Sequence, residues 1–164
     1  MHPQHLRLSS LAALLLLTSA TLPFGHLGSE RVVLFLNGFH FVSGNTSQEI
    51  SANHHCSILF DDFIQCVLYA TDTTPTHLAG IEYIISPALF ATLPPLERQL
   101  WHSHAYEVSS GTLVEPGLPD RVDHSVMEII VGTHGKTVHS WPYAARNFCM
   151  DHLGTLVDYF LDTN

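Results

Sequence analysis

Two short segments rich in β-forming residues flank an acidic pair, and this pattern constrains the fold more than any other feature of the sequence. Residues 57–60 and 63–70 are mainly Ile, Leu, Val, Phe and Tyr, and Asp61 and Asp62 separate them. Runs of this kind on both sides of a polar break predict two antiparallel strands joined by a tight turn. We therefore expect a β-hairpin with a sheet built around it.

Further strands and short helices are predicted on both sides of this hairpin. Residues 31–41 predict a short strand, a turn at Asn37 and Gly38, and the start of a second strand. Residues 80–85 predict another strand. Ser86 and Pro87 are typical of a helix start, and the pattern indicates one short helix up to residue 93 and a second over residues 96–101.

A main helix is predicted after residue 119, with Asp120 as its N-cap and Gly132 and Gly135 after its end. Its apolar residues recur at spacings that share one helix face: Val122, Val126, Ile129 and Ile130. A strand over residues 136–141 follows. These elements predict one compact α+β domain over residues 26–141, mainly an antiparallel sheet with one main helix and short helices.

The two ends of the chain differ from this domain. Residues 1–25 have the weakly basic start, apolar middle and small-residue cleavage site of a signal peptide, which predicts a secreted protein or one in the secretory pathway. An uncleaved interfacial anchor is the alternative. Asn45, in an Asn-Thr-Ser sequence within a predicted loop over residues 43–47, is a candidate glycosylation site. Residues 142–164 predict a divergent tail with a short amphipathic helix.

The composition favours a folded protein and excludes one class of partner. Hydrophobic residues make up 46% of the chain and charged residues 13%, which is not the balance of a disordered protein. The 15 acidic and 6 basic side chains give a formal net charge of −9, without a Lys/Arg cluster. We therefore expect no nucleic-acid partner. No feature of the sequence indicates an oligomeric state.

Histidine is the unusual residue, because its 13 copies outnumber Lys and Arg together. Residues 102–113 are interpreted as extended until a turn at residues 109–111, which would point His102, His104 and Tyr106 to the same side. Two imidazoles on one face are half of a site for a divalent transition metal. Glu107 is the obvious third ligand, but it would need a bulge or the end of the strand to join them.

A second histidine cluster offers other ligands. Either His54 or His55 would complete a site begun by His102 and His104 if the two segments meet across the sheet. The alternative for both clusters is a polar network with Tyr106, Glu82 and backbone carbonyls that binds nothing. Sensing of pH by the histidines is a third, weaker interpretation. No cofactor and no catalytic residue is established by the sequence.

The three cysteines allow at most one internal disulfide. In a hairpin centred on Asp61, Cys56 and Cys66 lie opposite each other at a separation that a disulfide can bridge. Two reduced, half-buried thiols are the equal alternative.

Six motifs, in order and spacing, resemble the plant oil body-associated proteins, a family with a domain of unknown function and relatives in fungi and bacteria. They lie within residues 36–41, 54–56, 65–69, 80–84, 101–108 and 135–141.

The resemblance implies a location, the oil body or lipid droplet, and no established reaction or cofactor. It favours a non-enzymatic protein that contacts a lipid or membrane surface. The alternative is a metal-dependent enzyme or a metal-binding protein that uses His102 and His104.

Overall fold

The computed structural model describes residues 26–27, 30–42, 45–71 and 74–140. Its strands are β1 (His26–Leu27), β2 (Glu30–Arg31), β3 (Leu34–Val42), β4 (Asn45–Phe60), β5 (Phe63–Ala70), β6 (Leu78–Ile85), β7 (His102–Ser103) and β8 (His134–His139). Its helices are α1 (Pro87–Thr92), α2 (Pro95–Arg98), α3 (His104–Ser110) and α4 (Asp120–Ile130). The leader and the tail after residue 141 lie outside these ranges, so the predictions for them stay predictions.

Six strands form one antiparallel sheet in the order β3-β4-β5-β6-β8-β7, and β1 and β2 form a separate two-stranded sheet. The large sheet is curled. Nδ1 of His40 on β3 lies 3.4 Å from Oγ1 of Thr137 on β8, although three strands separate β3 from β8 in the sheet. The predicted α+β class, with one compact domain, an antiparallel sheet and a few helices, is confirmed.

The hairpin around Asp61 and Asp62 is formed by β4 and β5, as predicted. Residues on β5 alternate between half-buried and buried, because successive side chains of a strand point to opposite faces. Cys56 and Cys66 are directly opposite each other and are joined by a disulfide. β4 already begins at Asn45, so the loop predicted over residues 43–47 is wrong for its last three residues.

The turn predicted at Asn37 and Gly38 is also wrong, because β3 runs through both residues. Asn37 pairs with Asn53 on β4 and exchanges two backbone hydrogen bonds with Val114 on its other side. At Gly38, an added Cβ would lie 2.7 Å from Cδ1 of Leu113. The glycine is therefore needed for close packing and not for a turn.

α1, α2 and α4 begin close to the predicted positions, although α2 ends three residues earlier than predicted. Oγ of Ser86 accepts a hydrogen bond from the backbone N–H of Leu89 and caps α1. α4 starts with Asp120 as its first residue, so the prediction of Asp120 as N-cap is wrong, and Pro119 occupies that position. Among the described residues, no helix has the length and apolar character to cross a bilayer.

The core lies between the inner face of the sheet and the apolar face of α4. Burial of each Leu or Ile side chain contributes roughly 1.5–3 kcal/mol, so this layer supplies most of the stability of a domain of this size. Its fully buried members from strands and helix include Leu34, Leu36, Ile64, Leu68, Ile84, Val126 and Ile130.

Candidate metal centre

One acidic side chain, Glu82, lies within the apolar inner face of the sheet. It belongs to β6 and is 1% exposed. A buried carboxylate needs charged or hydrogen-bonding partners, because removing it from water costs several kcal/mol or more. The partners of Glu82 are imidazoles. Its Oε1 lies 3.3 Å from Nε2 of His102 and 3.3 Å from Nε2 of His104, and its Oε2 lies 3.0 Å from Nε2 of His54.

His102 and His104 approach Glu82 from a short strand that changes directly into a helix. Ser103 is the N-cap of α3, and its Oγ accepts a hydrogen bond of 3.2 Å from the backbone N–H of Ala105. Gly111, with φ of 75°, ends the helix in the left-handed conformation. The prediction of an extended segment from residue 102 to the turn at residues 109–111 is therefore wrong after Ser103.

The helix brings Glu107 to the histidines without a bulge. Residues three apart share a helix face, and Glu107 follows His104 by three positions. Its Oε1 lies 3.8 Å from Nε2 of His102, and its Oε2 lies 3.8 Å from Nε2 of His104. Tyr106 is 69% exposed, so the prediction that it shares the side of the histidines is wrong.

Thr133 fixes the orientation and the proton of His104. The Thr133 hydroxyl donates its only proton to the carbonyl oxygen of Ile130 at 2.7 Å. Nδ1 of His104 lies 2.7 Å from the same hydroxyl oxygen, so this nitrogen has to be the donor. A neutral His104 therefore carries its proton on Nδ1 and points the lone pair of Nε2 at the carboxylates of Glu82 and Glu107.

Gly135 provides the space in which these groups meet. It lies on β8 directly opposite His102 on β7. A Cβ added at this position would overlap Oε1 of Glu82 and would lie 2.6 Å from Nε2 of His102. Any other residue would therefore displace the two side chains, and the glycine keeps open a small space lined by nitrogen and oxygen atoms.

The structure separates the two histidines of the second cluster. His54 lies on the inner face and is 1% exposed, whereas His55 lies on the outer face, where its ring centroid is 5.1 Å from that of Phe35. This follows from the alternation of side chains along β4. His40 on β3 joins the inner group, with its Nε2 2.7 Å from Nε2 of His54.

Burial and hydrogen bonding act in opposite directions on the carboxyl group of Glu82. Burial alone would raise its pKa, but hydrogen bonding by the surrounding imidazoles, that of His102 first, holds the pKa well below its usual range. Burial lowers the pKa of His104 despite the neighbouring carboxylate of Glu82. An ionised carboxylate beside a neutral imidazole is the protonation state that metal binding requires.

The two separations between Oε1 of Glu82 and the imidazoles of His102 and His104 fit a shared metal ion better than direct hydrogen bonds. Ligands bound at about 2.1 Å are separated by about 3.0 Å in an octahedral site and about 3.4 Å in a tetrahedral one. The two 3.3 Å separations from Oε1 of Glu82 fall in this range, whereas charge-assisted N–H···O bonds are usually 2.7–2.9 Å. Two buried triplets meet the spacing of metal ligands: His40, His54 and Glu82, and Glu82, His102 and His104.

Sequence reasoning missed two members of this group as ligands. Glu82 was assigned only to the non-binding polar network, although it is the one charged residue in an otherwise apolar strand. That exception was the available signal, because a lone carboxylate in a buried strand is rarely tolerated without a partner. His40 had no such signal, and only the curl of the sheet brings it near His102 on β7.

Comparison with known proteins gives a consistent family. The family described as "Protein of unknown function (DUF1264)" matches residues 28–150. Oil body-associated protein 1A of Zea mays is 39% identical over 106 residues, which cover 65% of this chain and 44% of the relative. Oil body-associated proteins 2C and 2A of Arabidopsis thaliana are 42% and 40% identical, over 63% and 68% of this chain and 44% and 45% of their own lengths.

The chain thus spans less than half the length of these relatives. No solved structure matches it.

Proposed function

The chain belongs to the DUF1264 family, which includes the oil body-associated proteins, and we propose that it binds a divalent transition metal ion. The ion is held by Glu82, His102, His104 and Glu107. One observation carries this proposal: Thr133 fixes the proton of His104 on Nδ1, which points the Nε2 lone pair at two carboxylates. A lone pair and a carboxylate repel each other, whereas a cation between them would be coordinated by both.

The ligand types favour zinc, iron or manganese. Imidazole suits transition metals, and two histidines with a carboxylate are the set that non-haem iron sites use. The Thr133 hydrogen bond is the outer contact that metal-binding histidines usually have, and it holds the ring of His104 in position. An ion here would act as a Lewis acid or would bind water, and in a metal-dependent enzyme it would polarise a small oxygenated substrate.

Elemental analysis by mass spectrometry tests the proposal. The full chain is purified without a histidine tag, stripped with chelator, and dialysed against zinc, manganese or iron(II). We expect bound metal in the parent and loss of the more tightly bound ion in the His102→Ala, His104→Ala double variant. His124→Ala is the matched control, because His124 lies on the surface of α4 and forms an exposed ion pair with Glu128. No binding of any of the three metals by the parent, or full binding by the double variant, would refute it.

Association with a lipid surface, without catalysis, is a second candidate function. Its support is the name of the relatives, oil body-associated proteins, together with exposed apolar side chains. Phe60 is 69% exposed beside the β4–β5 turn, and Leu96 in α2 is 78% exposed. Side chains of this kind bury apolar area when they enter a lipid interface.

Flotation with artificial oil bodies of triacylglycerol and phospholipid tests this second candidate on the chain itself. We expect the parent to float, with and without chelator, and the Phe60→Ser, Leu96→Ser variant to float less. Leu93→Ser in the half-buried C-cap of α1 is a control for a general loss of apolar residues. Equal flotation of the parent and the double variant would contradict a role for these two side chains.

A further inference from the structure

The second carboxylate oxygen of Glu82 faces a different set of ligands from the first. Oε1 faces His102 and His104, whereas Oε2 lies 3.0 Å from Nε2 of His54. Nε2 of His54 in turn lies 2.7 Å from Nε2 of His40. Both histidines are buried, with exposures of 1% and 3%. Glu82 therefore lies between two groups of nitrogen ligands, one on each side.

The contacts of His54 cannot both be full hydrogen bonds. Its Nε2 is within hydrogen-bonding distance of both a carboxylate oxygen and another imidazole nitrogen. A neutral imidazole nitrogen carries either one proton or one lone pair. With a proton it has one N–H to divide between Glu82 and His40, and with a lone pair it repels the carboxylate. A cation among the three atoms would use a lone pair from each.

We propose that Glu82 bridges two divalent transition metal ions. The first ion is the one proposed above, on the side of Oε1, and the second is bound by Oε2 of Glu82 together with His40 and His54. The inference thus rests on the proposed function and extends it to a dinuclear centre. Carboxylates that hold one ion with each oxygen are typical of two-metal sites, in which the ions lie about 3.5–4 Å apart.

The contacts around each site indicate that the second ion binds more weakly. His104 donates its Nδ1 proton to Thr133, which preorganises the first site. If His54 binds metal through Nε2, its proton lies on Nδ1, as in His104. Within the described part of the chain, however, the buried Nδ1 of His54 has no hydrogen-bond partner. Loss of such an outer contact typically reduces metal affinity 10- to 100-fold. We therefore expect stepwise filling, with the second site 10- to 100-fold weaker.

Equilibrium dialysis of the stripped full chain against increasing free Zn²⁺, with metal measured by mass spectrometry, tests the inference. We expect a plateau at one ion per chain and a second at two. The His40→Gln, His54→Gln variant should stop at one ion. His55→Gln should reach two, because His55 follows His54 in sequence but lies on the outer face. Circular dichroism and urea unfolding establish that the variants are folded.

Each outcome distinguishes the inference from the function on which it rests. One ion in the parent that is insensitive to the His40→Gln, His54→Gln change would overturn the second site and leave the first. Two ions in that variant would also overturn it. No ion in the parent would overturn both proposals.

A measurement on the parent alone guards against loss of folding in the variants. With Mn²⁺ as the probe, electron paramagnetic resonance should show an isolated-ion spectrum at the first equivalent and a spin-coupled spectrum at the second. Two bound ions with an uncoupled spectrum would mean that they do not share Glu82, and would refute the bridge.

Discussion

Replacing Gly135 by alanine should impair the metal centre while the fold survives. A Cβ at position 135 would lie 2.6 Å from Nε2 of His102, whereas ordinary contacts begin at 3.4 Å, so the imidazole has to move by about 0.8 Å. Functional groups tolerate displacements of only about 0.5 Å. We therefore expect zinc affinity to fall at least about tenfold, equivalent to about 1.4 kcal/mol.

The same substitution should destabilise the metal-free protein only modestly. Overpacking of a core lowers the free energy of unfolding by about 1–3 kcal/mol. The lower flexibility of the unfolded chain without this glycine raises it by about 0.4–1 kcal/mol. The backbone adds no strain, because Gly135 is not among the glycines with positive φ. The expected net loss is about 1–2 kcal/mol in urea unfolding.

Competition titration of zinc against a chromophoric chelator measures the affinity, and Gly132→Ala is the matched control. Gly132 lies three residues earlier, also has no positive φ, and an added Cβ would meet no atom closer than 3.9 Å. The control should bind zinc as the parent does. If Gly135→Ala also binds zinc within twofold of the parent, the space beside Gly135 is not part of a metal site.

Three further substitutions test separate parts of the structure. Thr133→Val removes the acceptor for His104 and should lower zinc affinity 10- to 100-fold in the same titration. Thr92→Val is its control, since the Thr92 hydroxyl also donates to a carbonyl three residues earlier but, within the described residues, has no hydrogen bond with an imidazole. Equal effects would contradict the role of Thr133. Burial raises the pKa of Glu115 to about 7, above its value of about 4.5 in the unfolded chain. The protonated carboxyl group therefore stabilises the fold at low pH, and this stabilisation is lost as the pH rises from about 4.5 through 7. Urea unfolding at pH 5 and pH 8 should show a loss on the order of 2 kcal/mol that is absent in Glu115→Gln, and the same loss in both proteins would refute this. Gly38→Ala should cost about 1–3 kcal/mol in urea unfolding, because its Cβ would overlap Leu113, and an unchanged midpoint would contradict that packing.

Strands and helices that are determined by interactions between residues close in sequence could be predicted from the sequence. The hairpin of β4 and β5 follows from two β-forming runs around an acidic pair, and its register places Cys56 opposite Cys66. α1 follows from Ser86 and Pro87, whose capping contacts lie within one helical turn. In each case the determining interactions are local, so the sequence pattern contains them.

Predictions failed where a contact from a distant segment determined the local structure. Asn37 and Gly38 are a strong turn signal, but pairing with Val114 and packing of Leu113 keep β3 extended. The residues after Ser103 were interpreted as extended up to the turn at residues 109–111. Ser103 and Gly111, a capping residue and a glycine eight positions later, were the local helix signal, and that interpretation did not use them.

The change from strand to helix at Ser103 explains how a His-x-His-x-x-Glu sequence can supply three groups to one place. On a continuous strand Glu107 would point away from His104, and on a continuous helix His102 and His104 would point in directions about 200° apart. His102 lies on β7 and His104 starts α3. His102 and His104 therefore follow the two-residue spacing of a strand, and His104 and Glu107 follow the three-residue spacing of a helix. Neither periodicity alone identifies such a group. The carboxylate of Glu82 on β6 joins this group across β8, which lies between β6 and β7. Glu82 can reach His102 because β8 carries a glycine, without a side chain, opposite His102.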